Sequence, residues 1–430
     1  MKECSISQFP EYIGQDVTIK GWVSNRRSSG RVSFLIFRDG TGICQVVAER
    51  DVLGDTYQEI RKIPIESSVI VHGKVVEEGR SAGGFEVQAS SIDIVHLSDE
   101  FPIGKKEHGP DFLLSNRHLW LRSARQTAIM RVRDALVRHV RNYFYENTFT
   151  LIDTPIFTTT CGEDTSNLFS VDYFDLGKTY LSQTGQLYLE AAIFGLGKVY
   201  CLGPTFRAER SKTRRHLTEF WMVEAEMAYY DHKMNLDLQE DFVSYIVQNT
   251  IAERQEDLKL LERDIEPLKR VVPPFHRISY DEALDILHKQ GSDIVWGADL
   301  GGDDETVITQ LFDKPVFIEN YPKQTKAFYM KQHPDRPEYV FCADLLAPEG
   351  YGEIIGGSQR EDNYDLLIKA IKDNNLEPET YGWYLDLRRY GSVPHAGFGL
   401  GIERTLSWIC GLKHVRETIP FPRMLYRAYP

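Results

Sequence analysis

The segment FRAERSKTRRHLTEFWMVEAEMA, residues 206 to 228, places a cluster of cations directly before an apolar run that carries two acids. The cluster consists of Arg207, Arg210, Lys212, Arg214, Arg215 and His216. If the run is a β-strand, its side chains alternate between two faces, and Glu224 and Glu226 share the face that holds Phe220 and Met222. Because buried carboxylates require partners, the segment indicates a binding site between the cations and the acids.

A second segment, DLLAPEGYGEIIGGSQRE, carries oxygen-bearing side chains around a turn. Asp344 and Glu353 flank the turn, and Ser358 and Arg360 follow two glycines. Oxygen ligands in a loop suit Mg²⁺ that is bound to substrate phosphates. A solvated acidic loop fits the same residues equally well.

A third segment, GFGLGIERTLSWICGL, is rich in glycine and passes into an apolar helix. Glycines let the backbone approach a ligand closely, and Arg404 lies near the expected N-terminus of the helix, where anions are favoured. The glycine spacing is G-x-G-x-G, and the chain has no G-x-x-x-x-G-K-[ST] motif. An ATP site here would therefore be neither a Rossmann site nor a P-loop.

The composition is that of an ordinary globular protein. The chain has 430 residues, 42% hydrophobic and 26% charged, and this length predicts two or more domains. The net charge of −13 argues against unselective coating of nucleic acid, although a local basic surface is compatible with it. The absence of a long apolar run and of an apolar leader in MKECSISQFP predicts a cytoplasmic protein that does not enter membranes.

The first hundred residues contain short β-rich runs separated by Gly, Ser and Asp turns. Such spacing predicts a small closed barrel over residues 1–100, with the five-stranded OB-fold as the leading case. Arg26, Arg27, Phe34 and Gln45 combine an aromatic ring with basic and amide groups, which is how single-stranded nucleic acid is held. A purely structural barrel with Phe34 in its core is the alternative.

The remainder of the chain predicts an α+β domain. Residues 101–122 read as a linker with Gly and Pro, and an amphipathic helix begins the domain that covers residues 123–430. The later helices and strands do not alternate as βαβ units, which favours an antiparallel sheet flanked by helices. Residues 230–320 read as an insertion on this domain.

Taken together, these segments resemble the class II aminoacyl-tRNA synthetases. TLIDTPIF, with Pro155, resembles motif 1; the segment at 206–228 resembles motif 2; and GFGLGIER, with Arg404, resembles motif 3. The N-terminal region is similar to the anticodon-binding OB-fold of the aspartyl, asparaginyl and lysyl subgroup. The resemblance extends from about residue 10 to residue 430.

The resemblance implies a role for each matching residue. Arg207 holds the ATP α-phosphate, Glu209 contacts adenine or the tRNA 3′ end, and Phe220 stacks on adenine. His216 and Arg404 hold the outer phosphates, while Asp344, Glu353 and Ser358 face Mg²⁺. Glu163 binds the substrate ammonium, Gln186 supports it, and Arg26, Arg27, Phe34 and Gln45 bind the anticodon. A homodimer is implied by motif 1.

Within the subgroup, three positions favour asparagine as the amino acid. Leu189 stands where aspartyl enzymes carry a lysine that meets the substrate carboxylate. Glu224 replaces an aspartate, and would accept a hydrogen bond from an amide but repel a carboxylate. Arg360 can donate to the side-chain carbonyl. The expected reaction is ATP-dependent charging of tRNA-Asn; an aspartyl enzyme, an asparagine synthetase-like relative that amidates aspartate and a non-catalytic RNA-binding paralogue are the alternatives.

Overall fold

A computed structural model describes residues 1–104, 106–160, 162 and 167–430. The chain divides into two compact units, residues 1–110 and 111–430. No helix among the described residues is long and apolar enough to cross a membrane.

The first unit is the predicted closed barrel. Five strands close on themselves because β2 pairs with both β3 and β5, and β4 joins β6. Alternate side chains fill the interior, as Leu35 and Phe37 do in β3, while Phe34 lies on the outer face and is half-buried. The strands are β1 (Lys2–Glu3), β2 (Asp16–Ser29), β3 (Val32–Arg38), β4 (Ile43–Glu49), β5 (Ser68–Glu77) and β6 (Phe85–His96), with short helices α1 (Arg50–Leu53) and α2 (Tyr57–Lys62).

The second unit is built on an eight-stranded sheet with the order β13-β14-β15-β16-β17-β12-β11-β7. The central pairs are antiparallel, as predicted, and the two edge pairs, β13–β14 and β11–β7, are parallel. These strands are β7 (Thr150–Leu151), β11 (Lys198–Phe206), β12 (Glu219–Ala228), β13 (His276–Ser279), β14 (Val316–Glu319), β15 (Cys342–Ala347), β16 (Gly352–Gln359) and β17 (His395–Gly401). A separate small sheet contains β8 (Phe157–Thr158), β9 (Ser170–Asp172) and β10 (Lys178–Leu181).

Helices cover the sheet and close its apolar core. The helix predicted by the amphipathic pattern is α5 (Ala124–Glu146), and the Ser123 hydroxyl caps it by accepting from the backbone N–H of Gln126 at 3.3 Å. Its buried face packs against α7 (His232–Glu253) and α14 (Ile402–Cys410). The other helices are α3 (Pro110–Ser115), α4 (Arg117–Trp120), α6 (Gln186–Leu196), α8 (Gln255–Leu260), α9 (Glu266–Lys269), α10 (Tyr280–Lys289), α11 (Gly302–Thr309), α12 (Tyr364–Asp373) and α13 (Gly382–Arg389).

Two boundaries differ from the sequence prediction. Residues 111–122, assigned to the linker, lie in the second unit, where the Arg117 guanidinium is fully buried and donates to the carbonyl of Pro420 at 2.8 Å. Residues 230–320 do not form a separate insertion, because they supply α7 to the core and β13 and β14 to the main sheet. Because both segments mix polar and apolar residues, their sequences did not indicate that they pack into the second unit.

Candidate active site

The exposed face of the main sheet carries a cavity of about 330 Å³. The predicted alternation along β12 is confirmed, since Phe220, Met222 and Glu224 line this cavity while Val223 and the other residues of the opposite face lie in the core. Ten of the residues predicted from the sequence line it together: Gln186, Arg207, Glu209, His216, Phe220, Glu224, Asp344, Glu353, Arg360 and Arg404. Glu163 lies outside the described residues.

Strand pairing explains why distant segments meet at this floor. Across the sheet, Glu224 lies opposite Gly399, Gly399 opposite Gly356, and Gly356 opposite Asp344. The two glycines leave open space between the two acids. A Cβ at position 399 would stand 2.6 Å from the Met222 methyl carbon, so only glycine fits there without displacement.

The segment at 206–228 places an aromatic ring and a cation in one part of the cavity. The Arg207 guanidinium lies 5.5 Å from the Phe220 ring centroid, within the range of a cation–π contact. Glu209 contacts His216, with 3.3 Å between Oε2 and Nε2. Burial, followed by the nearby charge of Arg404, lowers the pKa of His216, so its imidazole is predominantly neutral at pH 7.

A second part of the cavity contains paired charges that the sequence only partly identified. Arg404 Nη1 contacts Glu353 Oε2 at 2.8 Å, and Arg215 Nη1 contacts Glu305 Oε2 at 2.8 Å. Burial acts to raise the pKa of Glu353, but Arg404 and other nearby cations lower it overall, which keeps this acid ionised.

Glu305 was missed by the sequence analysis. Glu305 is the last residue of GGDDE, a segment that was interpreted as a loop. It lies in α11 and lines the cavity, where its carboxylate accepts a hydrogen bond from the backbone N–H of Glu353 at 3.1 Å. Burial and the neighbouring Glu353 raise the pKa of Glu305 to about 7. No local signal in the sequence marks this residue, because its place in the cavity depends on a strand that follows much later in the chain.

The part of the cavity around Glu224 and Gln186 is organised by buried hydrogen bonds. Glu224 accepts from the Thr184 hydroxyl and from the backbone N–H of Gly185, the latter at 2.8 Å. Gln186 Nε2 donates to Glu190 Oε1 at 3.1 Å, and Glu190 in turn accepts from Arg388 at 2.7 Å. These contacts hold both predicted side chains in defined orientations.

The structure assigns a partner to Glu226, whose role the sequence left open. Its carboxylate forms a fully buried ion pair with Arg360, through Nε at 3.2 Å and through Nη2. Arg360 Nη1 also donates to the Ser358 hydroxyl at 2.5 Å. Gly397, opposite Glu226 on β17, makes this possible, because a Cβ there would overlap the Glu226 carboxylate.

Three expectations change in the light of this geometry. Ser358 is buried, its hydroxyl accepts from Arg360, and it does not line the cavity, which contradicts its assignment to Mg²⁺. Asp344 lines the cavity, but its carboxylate binds Lys326 at 2.7 Å. Leu189 packs with Ile193 and other core residues and does not line the cavity. The absence of a lysine at this position therefore does not help to choose asparagine over aspartate as the substrate.

On the barrel, three of the four predicted nucleic-acid residues, Arg27, Phe34 and Gln45, lie together. The Arg27 guanidinium lies 4.8 Å from the Phe34 ring centroid and contacts Gln45 Oε1 at 3.4 Å. Gln45 is 5% exposed and its NH₂ group donates to Ser81 and Glu86, so its amide is engaged within the barrel. Arg26 donates to the carbonyl of Arg61 at 2.8 Å.

Known proteins share this organisation. The family of class II tRNA synthetases (D, K and N) matches residues 109–425, and the OB-fold nucleic acid binding domain matches residues 17–95. The asparagine–tRNA ligases of Pelotomaculum thermopropionicum and Symbiobacterium thermophilum are 54% and 51% identical to this chain, and each alignment covers 100% of both proteins. The crystal structure of asparaginyl-tRNA synthetase from Pyrococcus horikoshii complexed with asparaginyl-adenylate is 46% identical, covers 100% of both chains and has a TM-score of 0.97.

Proposed function

The chain belongs to the class II tRNA synthetases for aspartate, lysine and asparagine, and on that premise we propose that it activates L-asparagine with ATP and transfers it to the 3′ end of tRNA-Asn. The observation that carries the choice of amino acid is the presence of Glu224 and Arg360 in one cavity. A carboxylate accepts from an amide NH₂ group, and a guanidinium donates to an amide carbonyl. A side-chain amide satisfies both.

The hydrogen bonds of Glu224 support this choice. A carboxylate offers about four acceptor sites. The Thr184 hydroxyl, the Gly185 N–H and the Cys201 thiol use three of them in the described part of the chain. An asparagine NH₂ group fits the remaining site, whereas an aspartate carboxylate would face Glu224 with like charge.

The first step joins asparagine to the nucleotide. The α-carboxylate attacks the α-phosphorus of ATP in line, and pyrophosphate leaves to give asparaginyl-adenylate. Arg207 stabilises the charge that develops on the α-phosphate oxygens, Arg404 and His216 hold the outer phosphates, and Phe220 supports adenine. Such catalysis requires alignment and positive charge more than covalent help.

In the second step a terminal ribose hydroxyl of tRNA, the 3′-OH in class II enzymes, attacks the acyl carbon and releases AMP. Glu209 lies beside His216, where it can contact adenine or the incoming tRNA end. On the barrel, Phe34 and Arg27 offer a stacking ring and a cation to the anticodon.

Mg²⁺ supplies charge neutralisation to the phosphates when it is bound with ATP. Glu353 fits this ion, because its carboxylate lies in the cavity and stays ionised. Ser358 does not fit it, since its hydroxyl is occupied by Arg360.

The chain acts in the cytoplasm as a homodimer. The apolar face of α5 packs in the core of its own unit. Leu151, Ile156 and Phe157, in the motif 1 region after the helix, are between 42% and 49% exposed and offer an apolar contact surface.

Amino-acid-dependent pyrophosphate exchange with a panel of amino acids tests the proposal. Exchange is expected with asparagine and at a far lower rate with aspartate and lysine. Exchange with aspartate and not with asparagine would assign the chain to the aspartyl enzymes, and exchange with neither would favour the paralogue without synthetase activity.

A further inference from the structure

Lys326 is a buried cation of the cavity that neither the motifs nor the proposed reaction uses. It follows β14 in the sequence YPKQTKAFYM, and its side chain lines the cavity. The Lys326 ammonium lies 2.7 Å from Asp344 Oδ2 and 3.7 Å from the Tyr321 ring centroid. The Tyr321 hydroxyl also hydrogen-bonds to Asp344. Two donors thus hold this carboxylate.

Asp344 and Glu353 approach a common point, as a pair of metal-binding carboxylates would. An atom at the Cβ position of Gly356 would stand 3.2 Å from Glu353 Oε1 and 3.7 Å from Asp344 Oδ1. The two acids differ in their cations. Glu353 is paired with Arg404, whose guanidinium is 28% exposed, whereas Asp344 is paired with a lysine that is 13% exposed.

We propose that Lys326 takes the place of a divalent cation at Asp344, so that Glu353 is the carboxylate that binds the metal brought by ATP. This inference rests on the proposed function for the metal and the nucleotide. The ammonium binds Oδ2 of Asp344, while Oδ1 is the oxygen directed toward Glu353. Because the ammonium neutralises this carboxylate and repels a second cation by like charge, it opposes a divalent cation at Oδ1, and a π-face holds the ammonium in position.

The consequence is a metal site that depends on the nucleotide. Mg²⁺ is commonly held by one or two carboxylates together with substrate phosphates and water. With Asp344 bound to Lys326, the phosphates must contribute most of the ligands. Among the described residues, no cluster of three or more His, Cys, Asp or Glu side chains could hold a metal ion, which agrees with such a site.

Binding of Mn²⁺, measured by electron paramagnetic resonance without nucleotide, tests the role of Lys326. Lys326→Met frees Asp344 beside Glu353, and we expect Mn²⁺ to bind at least tenfold more tightly than to the unmodified chain. The double variant Lys326→Met with Asp344→Asn should return to the unmodified affinity. The matched control is Lys269→Met, which frees Glu266 from an exposed ion pair of 2.6 Å and should leave Mn²⁺ binding unchanged.

Equal Mn²⁺ affinity of Lys326→Met and the unmodified chain, with circular dichroism showing both folded, would overturn the inference. If Lys326→Met does not fold, the single variant Asp344→Asn provides the test of whether Asp344 binds the metal. Mn²⁺ binding in the presence of ATP should then change less than twofold, and a tenfold loss would show that Asp344 is a metal ligand after all. Asparagine-dependent exchange by the unmodified chain reports separately on the proposed function, so the two failures are distinguishable.

Discussion

The buried pair of Arg360 and Glu226 offers a quantitative test of how strongly burial couples two charges beside the cavity. The side chains of both residues are 3% and 1% exposed, and they are in direct contact. Removing one member of such a pair costs about 3–5 kcal/mol because the other charge remains buried, whereas replacing both by apolar groups costs much less. We expect Arg360→Met and Glu226→Leu each to lower the free energy of unfolding by about 3–5 kcal/mol.

The double variant should lose less than the sum of the two single losses, with a coupling energy of about 2 kcal/mol or more. Urea unfolding followed by tryptophan fluorescence measures this in the full chain. Of the six tryptophans, Trp22 alone belongs to the barrel, so the signal comes chiefly from the second unit. Asparagine-dependent exchange should be lost in both variants that lack Arg360, whether or not stability recovers.

The exposed pair of Arg138 and Glu253 is the matched control. It is bidentate, at 3.0 and 2.7 Å, but its side chains are 45% and 32% exposed. Its coupling energy should be below about 1 kcal/mol. Additive losses for Arg360 and Glu226, or a coupling equal to that of the control, would refute the reasoning that burial makes this pair decisive.

Arg207→Ala should lower asparagine-dependent exchange by orders of magnitude while circular dichroism remains unchanged; near-normal exchange would remove its α-phosphate role. Phe34→Ala should reduce aminoacylation of tRNA by roughly tenfold, since base–aromatic stacking is worth about 1–3 kcal/mol, and leave pyrophosphate exchange intact, so an equal fall in both assays would contradict anticodon binding. Burial and Arg416 lower the pKa of His414 to about 4, so this imidazole stays neutral in the folded protein at a pH where it is protonated in the unfolded chain. Its contribution to the free energy of unfolding is therefore complete above pH 6.5 and is lost as the pH falls toward 4. Relative to His414→Asn, the unmodified chain should lose about 1–3 kcal/mol of unfolding free energy over this interval, and parallel pH profiles would disprove the assignment.

Local patterns anticipated a large part of the site. The period of two along β12 correctly separated Phe220 and Glu224, which line the cavity, from Val223, which lies in the core. This succeeded because one strand with one buried face imposes alternation wherever it lies in the fold. The barrel was predictable for the same reason, from short alternating runs between turns.

Partner choice was not predictable in this way. Glu226 and Glu224 lie on the same face of β12 and have similar neighbours in the sequence. Glu226 nevertheless pairs with Arg360, whereas Glu224 accepts hydrogen bonds from Thr184 and Gly185. Lys326 and Glu305 come from segments without any recognisable motif.

The sequence by itself determined which chemical groups the chain carries and which strand faces hold them. The tertiary structure alone decided which acid meets which cation, because strands far apart in the chain bring these groups into register. In a site where Asp344, Glu353 and Glu226 each lie near a cation, distances of a few ångströms separate a metal ligand from a neutralised carboxylate. Those distances follow from the pairing of β12, β15, β16 and β17, which no single segment encodes.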